Sequence, residues 1–149
     1  MMAHPLEALW SRLAGPADQG PVDFAHLTRR TVPNDSLAAS PGATTAKVDV
    51  TLPVYADGPD TVMRRLDAML ADDASAERVD DRTSSTYRRY VVRTRRLRFP
   101  DTVDVKATPA PDGGTLLLAY SRSLLGKGDF GSNRKRLARW AGGLARMAR

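Results

Sequence analysis

The sequence predicts an α+β fold: an antiparallel sheet of about four strands in β-α-β-β-β-α order, with helices packed on one face behind an extended N-terminal arm. Three observations carry this. The stretches VMRRLDAML (62–70) and RKRLARWAGGL (134–144) repeat apolar residues at helical spacing. Other stretches alternate apolar and polar residues, or run apolar for the length of one strand. The last three of these are joined by links too short for a crossover, which makes neighbours antiparallel.

Each element has a local reason. In MMAHPLEALWSRLAGPADQ, Leu6, Leu9, Trp10 and Leu13 follow helical spacing, while Glu7 and Arg12 interrupt the apolar run that a secretory signal needs. This short amphipathic helix is read as packing on the domain, with docking to a membrane surface or a partner as the alternative. The Pro-, Gly- and Ala-rich segment that follows is read as an extended arm, anchored by Phe24 and Leu27. A first strand is expected over Ala46 to Tyr55, with Val48, Val50 and Leu52 on one face. Pro53 places it at an edge or marks its end.

The next helix has Asp57 as cap, Pro59 in its first turn and Asp60 at the positive end of its dipole; Val62, Leu66, Met69 and Leu70 form its stripe. In TYRRYVVRTRRLRF, Tyr90 and Val92 share one parity and Leu97 and Phe99 the other. The switch demands a bend, placed at Thr94 to Arg98. FPDTVDVKATPA gives a third strand with Val103, Val105 and Ala107 inward, PAPDGGT a turn, and TLLLAYSRS an apolar central strand. The last helix starts at Ser132 and packs through Leu137, Trp140, Ala141 and Leu144. Residues 1–45 are thus read as helix and arm, and 46–149 as one α+β domain whose second sheet face stays available.

Composition narrows the function. At 149 residues and 42% hydrophobic, the chain can build a core without staples. The absence of cysteine excludes disulfides, thiolate catalysis and cysteine-ligated metal centres. Net charge is +6, and only four of the 23 cationic residues are lysine. Arginine favours fixed, bidentate contacts to carboxylate or phosphate. No stretch approaches the roughly 18–20 apolar residues of a membrane helix. The expected location is cytoplasmic, with a peripheral membrane position as the alternative.

SRSLLGKGDFGSNRKRLARW (121–140) carries the densest set of motifs. Gly126, Gly128 and Gly131 have dinucleotide-loop spacing, but only 18 residues follow Gly131, enough for one helix and not for the second parallel strand. Asp129-Phe130-Gly131 spells a kinase triplet without the other kinase motifs. Ser121 and Ser123 lack a histidine partner, because His4 and His26 both lie in the arm. What the stretch does offer is a helix N-terminus with free amides and a positive dipole end, capped by Ser132 or Asn133. The candidate anion site therefore comprises Arg122, Lys127, Asp129, Asn133 and Arg134, with Asp101 and Asp129 orienting the arginines. In the competing arrangement Asp129 pairs with Arg122 or Arg134, caps the amides and closes the corner.

Ser121, Arg122, Ser123, Gly126, Asp129, Gly131, Asn133 and Arg134, together with the Phe99-Pro100-Asp101 turn and Pro33-Asn34 followed by Leu37, resemble the domain-of-unknown-function family 1499 of bacteria and plastids. The resemblance spans roughly Pro33 to Leu144. It implies a sheet-plus-helix domain with a hot spot before the last helix, and it implies no reaction. Many relatives carry an apolar N-terminal segment, where this sequence has the short amphipathic stretch.

The expected function is a non-enzymatic domain that binds a small anionic or polar ligand, or a protein partner, at this corner. Alternatives are an enzyme using Asp129 as acid or base beside Arg122, and a protein resting on an anionic membrane surface. No cofactor and no metal are expected. The basic run Arg82, Arg88, Arg89, Arg93, Arg95, Arg96 and Arg98, and the acid-free last helix, raise nucleic acid as a partner. The lack of a recognised motif and of interleaved aromatics argues against it, and the strand arginines are read as a solvated face.

Overall fold

The computed structural model describes residues 4–148. Three helices, α1 (Pro5–Ala14), α2 (Pro59–Leu70) and α3 (Ser132–Met147), accompany six strands: β1 (Asp35–Ala39), β2 (Val50–Thr51), β3 (Ala76–Arg78), β4 (Tyr87–Arg93), β5 (Pro100–Pro109) and β6 (Thr115–Ser123). The strands form one sheet in the order β2-β1-β6-β5-β4-β3. All neighbours are antiparallel except β1 and β2, which run parallel.

The class is α+β as expected, but the sheet has six strands and is mixed, in place of about four antiparallel ones. The main reason is β1. Its sequence DSLAA lacks the β-branched and aromatic residues that signal a strand. It lies between β2 and β6, covered on both faces, and small side chains suit that position: Ser36, Leu37, Ala38 and Ala39 are all buried. These residues fall in the stretch read as arm. The strand expected over residues 46–55 shrinks to Val50–Thr51 plus a bridge from Tyr55 to Thr115. β3 has only three residues, too few for a period. Asp57 does not cap α2; Gly58 is its N-cap, and Asp57 pairs with Arg65 at 2.6 Å.

The helices pack on one face of the sheet. Val62, Met63, Leu66 and Leu70 of α2 and Leu137, Trp140 and Leu144 of α3 meet Tyr90, Val92, Val103, Val105, Leu117 and Ala119 in one core. Fully burying a side chain such as Met63, Leu66 or Leu137 contributes about 1.5–3 kcal/mol. The opposite face, expected to be available, is covered by the arm. Phe24 packs with Leu37, Ala39, Leu118 and Tyr120. The amides of Gln19 and Val22 donate to Thr102 Oγ1 and Asp104 Oδ2, each at 3.2 Å. Polar side chains on that face thus gain partners that an open face would leave to water.

The bend at Thr94 to Arg98 links β4 to β5, and Arg98 takes a left-handed φ of 57° there. α1 docks on this bend. Trp10 lies 4.7 Å from the Phe99 ring and donates through Nε1 to Leu97 O at 2.6 Å. The β4 arginines are engaged, contrary to the solvated face expected of them. Arg88 pairs with Asp67 at 2.9 Å, Arg89 with Asp18 at 2.8 Å and Arg93 with Glu7 at 2.8 Å.

Candidate functional site

The period of two along β6 sends Ser121 and Ser123 toward the helices and Arg122 toward the arm. The chain then turns through residues 124–131 into α3. Gly126 and Gly131 hold φ of 88° and 79°, a region that glycine enters without steric cost. Gly131 is the N-cap and has no side chain to offer. The capping falls to Asp129, not to Ser132 or Asn133: its Oδ1 accepts from the Gly131 amide at 2.8 Å and its Oδ2 from the Asn133 amide at 3.3 Å.

Asn133 is freed to turn inward, where it is completely buried. Its Oδ1 accepts from Ser121 Oγ at 2.6 Å and from Arg136 Nη1 at 3.0 Å. Its Nδ2 donates to Asp129 Oδ2 at 2.7 Å, Ser123 Oγ at 2.9 Å and Asn34 O at 3.2 Å. Asn34 in turn donates to Gly126 O at 2.9 Å. Arg136 extends the network, donating to Ser121 Oγ at 3.0 Å and pairing through Nη2 with Asp101 Oδ2 at 2.8 Å. Burial pushes the Asp101 carboxyl above its ordinary pKa, with the Arg136 guanidinium acting against that shift. The Asn133 amide is satisfied on both atoms, whereas Asp101 Oδ2 meets Arg136 as an ion pair only and Arg136 Nε is buried without a hydrogen-bond partner.

Arg122 leads elsewhere. On the arm side its Nη1 donates to Asp104 Oδ1 at 2.6 Å and its Nη2 to Gly20 O at 2.7 Å, and its guanidinium carbon lies 5.4 Å from the centre of the Tyr120 ring. Asp104 is fully buried and also accepts the Tyr87 hydroxyl. Of the residues singled out in sequence, Asp101, Asp129 and Asn133 therefore meet at one corner. Arg122 is on the other side of the sheet. Arg134 is exposed and shares a concavity of about 430 Å³ with Asp129 and Gly131 of the corner, lined also by Arg29, Arg30 and Lys47 and by Asp35 and Asp49. Lys127 is exposed on the loop, without an ion pair among the described residues.

The largest concavity beside the corner is a cleft of about 660 Å³ between α3 and the β4–β5 bend. Six cationic residues line it, Arg93, Arg95, Arg98, Lys135, Arg136 and Arg139, against one carboxylate, Asp73. Arg93 and Arg98 pair with Glu7, at 2.8 and 3.7 Å, and Arg136 with Asp101. Arg95, Lys135 and Arg139 are exposed and form no ion pair among the described residues. Ser132, in the first turn of α3, brings the positive end of the helix to the same wall. The Nε groups of Arg98 and Arg136 are buried without a hydrogen-bond partner. The sequence holds both basic runs but does not show that the bend and α3 face each other, and that juxtaposition makes the cleft. Among the described residues, no three His, Asp or Glu side chains cluster closely enough to hold a metal ion. No helix among them is long and apolar enough to cross a membrane.

Fold and corner define an α+β domain whose last strand and last helix are joined by a buried polar network. The chain belongs to the family described as "Protein of unknown function (DUF1499)", whose model matches residues 29–144 and so takes in the whole sheet. No curated protein and no solved structure matches it.

Proposed function

We propose that this protein binds a small anionic ligand beside the strand-to-helix corner, in the basic cleft between α3 and the β4–β5 bend, and does so without catalysing a reaction. The observation that carries the reading is the set of three exposed cations, Arg95, Lys135 and Arg139, that stand on one concave wall without an ion pair among the described residues, beside Arg93, Arg98 and Arg136, which Glu7 and Asp101 partner. Cations crowded on a concave wall focus a positive potential there, and the first turn of α3 adds to it. Arginine supplies paired donors for a phosphate or carboxylate, and Lys135 adds a mobile point charge. Asp101 serves indirectly, because it fixes Arg136 in the wall of the cleft. Asp129 and Asn133 set the start of α3, and with it the direction of the Ser132 turn.

The test is a calorimetric titration with inorganic pyrophosphate at low and at high salt. Binding should weaken as salt rises. Lys135→Glu combined with Arg139→Glu should lower affinity by about tenfold or more, since hydrogen bonds between charged groups are worth about 1.5–3 kcal/mol. Unchanged affinity in this double variant would remove the reading.

A further inference from the structure

The basic cleft has an apolar neighbour. Thr94 and Ser132 line the cleft and also line a second concavity of about 370 Å³. The ion pair of Asp101 with Arg136 stands between the two, the carboxylate lining one side and the guanidinium the other. Leu97, Phe99, Leu125 and Phe130 furnish the walls of the second concavity. Its two carboxylates are already engaged: Asp101 by Arg136, Asp129 by the amides of Gly131 and Asn133. Arg96 stands at its edge, where its methylene stem can extend the apolar wall.

Two of the apolar residues are held in water. Leu97 is 50% exposed and Phe130 is 100% exposed. Phe130 also has a left-handed φ of 51°, which disfavours a bulky residue. Neither residue contributes to the cores, so burial within the fold does not account for them. An unpaired cationic wall joined to an apolar groove is complementary to a molecule with the same two halves.

We propose that the two concavities form one composite site for an anionic amphiphile. The head group lies against Arg95, Lys135 and Arg139. The apolar chain crosses Thr94 and Ser132 and lies on Leu97, Phe99, Leu125 and Phe130. This deepens, and rests on, the assignment of the basic cleft to an anion.

The experiment is a calorimetric series with ethyl, butyl, hexyl and octyl phosphate, each kept below its micelle concentration. Affinity should rise by about fourfold for each methylene buried, until the groove is filled. In the variant Leu97→Ser with Phe130→Ser, the dependence on chain length should flatten while ethyl phosphate binds as before. Both residues are exposed, so the variant is expected to fold, and an unchanged melting temperature verifies that. If octyl phosphate binds no more tightly than ethyl phosphate, the composite site is overturned and the anion cleft stands. If neither binds, both assignments fall. Cosedimentation with phosphatidylcholine vesicles, with and without phosphatidylglycerol, separates the sources. A chain-length dependence together with binding to the anionic vesicles supports an amphiphile drawn from a bilayer; the dependence alone supports a dissolved one. Vesicle binding with a flat alkyl series means that Leu97 and Phe130 insert into a membrane surface, and it overturns the groove.

Discussion

The two faces of β6 use adjacent residues of one motif in opposite ways. Toward the helices, Ser121 and Ser123 join Asn133, Arg136 and Asp101 in a network of short polar side chains and one ion pair. Toward the arm, Arg122 reaches Asp104 and Gly20 and helps to tie the N-terminal segment to the sheet. Both regions are buried, and their charged groups are paired inside the fold. The cleft next to them differs in its outer wall, where Arg95, Lys135 and Arg139 are exposed and form no ion pair among the described residues. Ser121, Arg122, Ser123 and Asn133, which carry the family resemblance, thus hold the fold together, while the cations left exposed in the cleft, Arg95, Lys135 and Arg139, are not among the residues that carry it.

The largest effect is expected at the most buried ion pair, Arg122 with Asp104. Arg122→Ala leaves Asp104 buried without its cation and should cost about 3–5 kcal/mol, measured by urea unfolding. A loss below about 1 kcal/mol would mean that Arg122 is available to a ligand after all. On the helix face, Asn133→Ala strands Ser121, Ser123 and Arg136 from their shared partner. A loss of about 1–3 kcal/mol is expected for each group left unsatisfied, read in the same unfolding assay. Asp129→Ala removes the cap of α3 and one of the acceptors of Asn133 Nδ2, and should cost about 0.5–2 kcal/mol, with fraying of the first turn in amide exchange.

Acid provides a graded version of the same contrast. Asp80 is buried, which raises its pKa. Hydrogen bonds from Arg78 and from the amides of Arg89 and Arg82 outweigh this and hold the pKa at about 2. Its folded pKa is depressed, so its contribution is complete above the ordinary aspartate value and is lost as pH falls through about 2. Unfolding followed by circular dichroism from pH 5 downward should show a stability decline that Asp80→Asn makes shallower. The smallest effect belongs to the open region. Arg95→Ala and Arg139→Ala should shift stability by no more than about 0.5 kcal/mol.

Much of this was legible in sequence, and the exceptions have physical causes. β6 and α3 begin where alternation and helical spacing place them, and the turn from Thr94 to Arg98 follows from the parity switch. β1 escaped because a strand covered on both faces can be built from serine and alanine, which carry no periodic signal. Asp101, Asp129 and Asn133, which the motifs single out in sequence, meet at one corner through Arg136. Arg122 stands one residue from Ser121 and Ser123, and the same alternation that predicts the strand sends it to the other face. Arg136 went unremarked at the corner because one charged residue among several on a basic helix looks solvated; its burial depends on Asp101, 35 positions away in the chain.

An anion in the open cleft meets the bend and α3 and leaves the buried residues of β6 untouched. Amide chemical-shift mapping of the ¹⁵N-labelled protein during a pyrophosphate titration tests it most directly. Shifts are expected along residues 93–98 and 132–139, with the strand 115–123 unmoved. Shifts centred on Arg122 and Gly20, or on Arg29, Lys47 and Arg134, with none at Arg95 or Arg139, would contradict it.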